Sequence, residues 1–461
     1  MPTIQISLKN IHSTILNPTP TLLSVVDKAL SVKADNTWHS KAYKEGRWDG
    51  MYRLFSKHKR SFPTGLFPLV RKTLEAQNFI VEVIDERTGV VAPDISGLNM
   101  SLVGITPRND QVIAVKNCVR AKRGLIASAT GTGKTVIISL LVQNLPGNCL
   151  IFVNTKTLLS QTQRTIEALT GENVGLVGGG QAVFNRITVC TIQSASKLDP
   201  DWLTNLNSVI VDECHHVSAK SFYNTLNLIP ALYRFGFSAD PTDSSRLKVN
   251  SDFNALKIEG VFGPCIHTFT TEYATKNDIL AKAEVRILPL KVSNLESATY
   301  AVAYGETVLN SKLNEMVIEV CQQHKGEQCL ILVKTIAHGK ALKKSIAAAT
   351  GQRVEFLAGA DSNDLRESVI ADFKAGTLTC LIGSNIFKEG VDLPSVDVMI
   401  NAAGDVAPTK QRIGRAVRKK YGKANTVVVY DFYIKGNPYL QGHSDKRLLI
   451  YKKDGHKVLK Q

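Results

Sequence analysis

The chain has 461 residues, 44% of them hydrophobic, and its 56 Lys plus Arg outnumber 40 Asp plus Glu, for a formal charge of +16. That length suits two or three domains, the apolar content excludes a disordered chain, and the basic excess favours a polyanionic partner over a merely soluble basic surface. No stretch of 18 apolar residues suggests a membrane helix, and the eight cysteines form no C-x-x-C pair, so neither zinc, an iron–sulfur cluster nor disulfides are implied. The opening Met1-Pro-Thr-Ile-Gln lacks the build of a signal peptide, so a soluble, cytoplasmic monomer is expected.

Residues 1–98 have weak periodicity and read as a small α+β domain. Between Lys41 and Lys72 there are nine basic residues and two acids, interleaved with Tyr43, Trp48, Tyr52, Phe55, Phe62 and Phe67. Cations can meet phosphates while rings stack on bases, which makes Trp48, Lys57, Lys59 and Arg60 candidates for a duplex or junction contact. The plainer reading of most of these rings is the core of the small domain.

From about residue 99 short apolar runs alternate with helical stretches, the pattern of a parallel sheet covered by helices on both faces. The first series of runs is Gly124–Ala127, Cys149–Val153, Ile187–Cys190, Ser208–Val211 and Arg234–Phe237. The second is Cys329–Val333, Val354–Leu357, Thr379–Ile382, Val396–Ile400 and Thr426–Tyr430. Two such domains are expected over 99–284 and 285–440, with the crossover near 285–300 and a basic tail over 441–461.

Within the first series, Ser128-Ala-Thr-Gly-Thr-Gly-Lys-Thr135 follows an apolar run and precedes a helical one, the order a phosphate-binding loop requires. Thr130, Gly131, Thr132 and Gly133 would turn backbone N–H groups toward phosphate, Lys134 would hold the β and γ phosphates, and Thr135 would ligate magnesium. Asp212 and Glu213 end an apolar run, where α/β sheets bind ligands. Asp212 would hold magnesium through water and Glu213 would polarise the attacking water, although an isolated acidic pair is more often a solvated turn. Far along the chain, Gln411-Arg-Ile-Gly-Arg-Ala-Val-Arg418 places Arg415 and Arg418 at helical spacing, as arginines that stabilise a transferring phosphoryl group or as a basic helix facing nucleic acid.

Taken together, these segments resemble the superfamily 2 helicases and translocases, whose motor is two tandem RecA-like parallel-sheet domains. The resemblance implies ATP and Mg2+ as cofactors, DNA as partner, and contacts with recombination or replication proteins. It assigns Arg108 and Gln111 to the adenine, although the usual aromatic is absent, and Asp392 to the ribose. It makes Gln411, Arg415 and Arg418 catalytic beside Lys134, Asp212 and Glu213. Thr155, Lys156, Gly179, Thr191 and Gln193 in the first domain, and Lys334, Thr335, Ser384 and Asn385 in the second, would track a nucleic-acid strand. Ser238-Ala-Asp-Pro-Thr242 looks like the coupling motif, with Asp240 where Thr is more usual. Asp212-Glu-Cys-His215 is nearer to DNA translocases than to RNA-unwinding DEAD-box proteins. Gly46-Arg-Trp-Asp-Gly50 and Pro63-Thr-Gly-Leu66 resemble the amino-terminal domain of bacteriophage UvsW-type helicases, implying branch migration, fork regression and unwinding of recombination or R-loop intermediates. An RNA helicase, a duplex translocase subunit and a nucleotide-gated binding module stay open as alternatives.

Overall fold

The computed structural model describes residues 2–35, 37–129, 131–239, 249–291, 302–305, 311–384, 396–406 and 426–460. The chain divides into one unit of Met1–Ser128 with Gly133–Thr268 and a second of Ala129–Thr132 with Phe269–Gln461.

The first unit opens with the small α+β domain. Strands β1 (Thr3–Leu8), β2 (His12–Leu16), β5 (Ser61–Pro63) and β6 (Ile80–Asp85) form a sheet in the order β5-β2-β1-β6, while β3 (Ser31–Lys33) pairs with β4 (Met51–Arg53). Ile4, Ile6, Leu8, Ile15, Phe55 and Phe62 pack on Leu22, Val26, Val70 and Leu74 from the helices Pro20–Ala29 and Phe67–Glu75. Phe55 and Phe62 are thus core, whereas Tyr43 and Tyr52 are exposed.

This domain is docked on the next through backbone. Asn10, 5% exposed, donates from Nδ2 to the carbonyls of Thr88 (2.7 Å) and Pro230 (2.5 Å), and its own carbonyl accepts from Arg123 Nη2 at 2.6 Å. Gly65, of the Pro-x-Gly-Leu segment, lies so close to the helix Val249–Phe262 that an added Cβ would sit 2.1 Å from the Glu259 carbonyl oxygen. Only glycine permits that approach.

The rest of the unit is a doubly wound sheet of eight strands in the order β10-β9-β11-β8-β12-β13-β7-β14. In chain order these are β7 (Arg123–Ser128), β8 (Asn148–Val153), β9 (Val174–Gly178), β10 (Gln181–Val183), β11 (Ile187–Thr191), β12 (Leu206–Asp212), β13 (Tyr233–Ser238) and β14 (Cys265–Phe269). From β9 to β7 the pairing is parallel, and β10 returns antiparallel on β9. The central strands are buried almost end to end, which is why they read as unbroken apolar runs.

The second unit holds a wholly parallel sheet in the order β17-β18-β16-β19-β20-β15-β21. Its strands are β15 (Lys282–Lys291), β16 (Cys329–Leu332), β17 (Val354–Leu357), β18 (Cys380–Gly383), β19 (Val398–Asn401), β20 (Thr426–Lys435) and β21 (Lys457–Lys460). Both sheets use the same local punctuation. Thr155 caps the helix Lys156–Thr170, which ends at Gly171 with φ +72°, and Thr335 caps Ile336–Thr350, which ends at Gly351 with φ +68°.

Two expectations differ from the structure. The units divide between Thr268 and Phe269, not near 285–300, because β15 pairs with β20 from Lys282 through Lys291. Residues 441–461 are no free tail: the helix Pro438–Lys453 packs on β20 and β21 pairs with β15. Arg447 of that helix is 1% exposed and clamps Asp431 at 2.9 and 3.0 Å while donating to the Gly404 carbonyl at 2.5 Å. As for the cysteines, seven are buried and Cys265 is exposed.

Candidate ATP site and nucleic-acid face

Strand β7 ends at Ser128 and the helix Lys134–Asn144 begins six residues later, so the intervening loop must turn sharply. Gly131 (φ +85°) and Gly133 (φ +88°) supply left-handed turns, and Thr132 Oγ1 closes back on the Ala129 carbonyl at 2.7 Å. Gly133 is required on a second count, since an added Cβ would lie 2.5 Å from Gln111 Nε2. Gln111 is 2% exposed and accepts from the Arg108 backbone N–H at 3.0 Å, which seats its amide against the loop. The Arg108 guanidinium forks onto Asp110 at 3.1 Å.

Strand β12 delivers Asp212 and Glu213 to the same place. Lys134 Nζ donates to Glu213 Oε1 at 2.8 Å and lies 3.4 Å from Asp212 Oδ1, with all three side chains under one-fifth exposed. Burial pulls the Lys134 ammonium down in pKa, but the two carboxylates more than offset this and leave it above its ordinary range. Burial also raises Asp212 above the usual carboxylate range, with Lys134 opposing and Glu213 adding to the rise. Glu213 itself has φ +54°, a strained backbone for a non-glycine residue, which turns its carboxylate toward Lys134.

Strand β13 stands between β12 and β7, so Ser238 at its end faces the acids. Ser238 Oγ donates to Glu213 Oε2 at 3.4 Å, and His215 Nδ1 lies 3.3 Å from Ser238 Oγ and 3.5 Å from Glu213 Oε2. Sequence reasoning gave His215 no role; its position two residues beyond Glu213 was the available signal.

The residues fit a magnesium nucleotide: a glycine turn at Gly133 without room for a Cβ, a buried glutamine beside it, a largely buried ammonium, and a half-buried Thr135 with the Asp212 carboxylate for the metal. Thr130, Asp392, Gln411, Arg415 and Arg418 lie outside the described residues, as does Asn385.

The strand-tracking positions of the first sheet gather at the carboxyl ends of three neighbours, β9, β11 and β8. Gln193 donates to the Asn154 carbonyl at 3.1 Å, and a Cβ on Gly178 would lie 2.9 Å from Thr191 Oγ1. Lys156, Gly179 and Gln193 are exposed there, whereas Thr191 is buried and Thr155 is occupied as a helix cap. In the second sheet, Lys334 and Thr335 follow β16 and Ser384 follows the adjacent β18. Lys334 Nζ sits 4.7 Å over the Tyr304 ring, Thr335 caps its helix, and Ser384 is buried with its N–H on the Leu357 carbonyl.

The amino-terminal candidates fare unevenly. Lys59 and Arg60 are exposed, while Lys57 pairs with Asp27 at 2.9 Å. Trp48 is half-buried, donates from Nε1 to the Met51 carbonyl at 2.9 Å, and packs on Tyr52, whose ring stacks on Phe253. That makes Trp48 a packing residue of its loop.

Residues 104–243 match the model of the type III restriction enzyme res subunit, and 311–420 match the helicase conserved C-terminal domain. The chain is 25% identical over 351 residues to the DNA 3'-5' translocase XPB2 of Sulfurisphaera tokodaii, covering 68% of this chain and 79% of that one. It is 22% identical over 436 residues to the ATP-dependent DNA helicase uvsW of Enterobacteria phage T4, covering 87% and 84%. The crystal structure of T4 UvsW shares the fold across 100% of this chain and 99% of that one, at 20% identity and a TM-score of 0.50. A fragment of an HsdR subunit of a type I restriction enzyme from Vibrio vulnificus superposes over 89% of this chain and 75% of its own, with 15% identity and a TM-score of 0.59.

Proposed function

This chain belongs to the superfamily 2 helicases and is an ATP-dependent DNA helicase, and from that premise we propose that it remodels branched DNA, by branch migration, fork regression and unwinding of recombination or R-loop intermediates. The observation that carries the ATP-driven part is the convergence of Lys134, Asp212 and Glu213 within 3.4 Å, beside Gln111 on Gly133. Support for branched substrates comes from the similarity to uvsW, which runs over 87% of the chain, and from an amino-terminal domain fixed to the first motor sheet.

Bound here, Mg2+-ATP supplies the phosphoanhydride bond whose hydrolysis drives movement. Lys134 Nζ would neutralise charge at the outer phosphates, and Thr135 Oγ1, with Asp212 through water, would hold Mg2+, which would supply further charge neutralisation there. Gln111 and Arg108 orient the base, and Asp392 the ribose. Glu213 accepts a proton from the attacking water at Oε, with Ser238 and His215 fixing its carboxylate. The family resemblance gives Gln411, Arg415 and Arg418, which lie outside the described residues, the role of charge stabilisation. On the nucleic-acid side, Lys156, Gly179, Gln193 and Lys334 meet the backbone of one strand, so affinity falls steeply with salt. The protein works as a cytoplasmic monomer, alongside recombination or replication proteins.

The test is steady-state ATPase with no nucleic acid, single-stranded DNA, duplex, a forked or four-way junction, and matched RNA. Strongest stimulation by the fork or junction is the expected result. Stimulation by RNA alone refutes it. The likeness to the HsdR fragment favours a second reading, a duplex translocase, which equal stimulation by plain duplex without strand displacement would select.

A further inference from the structure

The loop between β3 and β4 is built as a small platform. It is closed at its base by the Ala34 N–H on the Gly50 carbonyl at 2.8 Å, and Trp48, Tyr52 and Phe253 form an aromatic row beneath it. Gly46 (φ +67°) and Gly50 (φ +79°) make its turns, and Asp49 holds Arg53 and the Met51 N–H. Arg47 donates from Nε to Glu45 at 2.7 Å and from its backbone N–H to the Ala42 carbonyl at 2.9 Å, so each residue of Gly-Arg-Trp-Asp-Gly is spent on shaping the loop. What the loop presents is different: Trp38 is 59% exposed and Tyr43 41%. Thr37, the buried neighbour of Trp38, anchors this stretch beside Gly50, where an added Cβ would lie 3.0 Å from its Cγ2 and 3.1 Å from Tyr43 Cε2, and the Trp38 ring stands tilted on that of His39 at 5.7 Å between centroids. Around Trp38 and Tyr43 stand the exposed Lys33, His39 and Lys44, with Asp35 opposing, while Lys41 and Arg47 are both ion-paired with Glu45.

A large ring held out on a rigid loop among cations has the chemistry of a base-stacking platform: cations meet phosphates, and a π-face meets any base. We propose that Trp38 stacks on unpaired nucleobases of the DNA strand at a branch. The proposal deepens the branched-DNA reading and rests on it. Trp48, the tryptophan of the short motif, positions this platform without touching DNA.

The test uses the full-length protein and a labelled fork whose single-stranded arm is either oligo-dT or abasic, so that phosphates stay and bases go. Binding is followed by anisotropy at fixed moderate salt. The wild type should prefer the dT arm, and W38A should lose that preference by on the order of ten-fold in affinity, while W38F keeps most of it. Equal dT preference in W38A and wild type overturns the platform, as does a loss of affinity in W38A equal on dT and abasic arms. If the wild type binds neither fork and its ATPase ignores DNA, the branched-DNA reading itself has failed. Melting curves matching wild type establish that W38A is folded, as its exposed position implies.

Discussion

Replacing Lys134 by Met should do more than stop hydrolysis; it should make the protein's stability depend on pH. Lys134 Nζ is the cation at 2.8 and 3.4 Å from two adjacent carboxylates whose side chains are only 13% and 19% exposed. Breaking a buried pair by removing one partner costs roughly 3–5 kcal/mol, and the partial solvation of these acids argues for about 3. In a unit of this size that corresponds to a fall in Tm on the order of 10 °C. The sign with pH follows from the acids. Burial already raises Asp212 in pKa, and without the ammonium that opposes the rise it goes up further. A carboxyl with a raised folded pKa contributes stability when protonated and loses it as pH rises, so the deficit of K134M should be small at pH 5 and full at pH 8. Lys134 itself, raised above its ordinary value, contributes evenly across that window. Scanning fluorimetry of wild type, K134M and K134M/E213Q at the two pH values is the assay. The double variant should recover most of the loss at pH 8. A deficit identical at pH 5 and 8, or no recovery on adding Glu213→Gln, would refute the electrostatic account.

Gly133→Ala should weaken nucleotide binding on the order of ten-fold, because φ at +88° strains any residue with a Cβ and that Cβ would meet Gln111 Nε2 at 2.5 Å; nucleotide titration checks this, and unchanged affinity refutes it. Arg418→Ala should leave nucleotide affinity nearly intact and slow hydrolysis by roughly 10³-fold or more, measured by single-turnover ATPase. Arg447→Met strips the buried partner from Asp431 and should destabilise the second unit by about 3–5 kcal/mol in urea unfolding.

The doubly wound sheets were legible because strands buried on both faces are written as apolar runs, and every run picked from the sequence lies on a strand. β15 was missed for the opposite reason. Its exposure alternates, and Glu284, Arg286 and Pro289 gave it the look of a connector, although Glu284 is spent on Arg286 and Lys457 and Pro289 sits in register with Tyr433. β21, four residues with two lysines, joins the sheet only because β15 offers it an edge. At the site, Lys134, Asp212 and Glu213 were readable from spacing. The seating of Gln111 on Gly133 and the link from His215 through Ser238 to Glu213 depend on strand order, which no local pattern carries. Trp38 has no motif around it; only its exposure separates it from Trp48.

Strand β7 begins at Arg123, whose guanidinium reaches the carbonyl of Asn10 in the amino-terminal domain, and ends at Ser128, where the phosphate loop opens. Six extended residues span about 20 Å, and this strand is buried along nearly its whole length. The amino-terminal domain therefore stands at one end of a stiff strut whose other end is the nucleotide loop. Truncating the chain at residue 99 would remove more than the proposed DNA contact, since it would uncover the foot of that strut and leave the Arg123 charge without the carbonyl that shelters it.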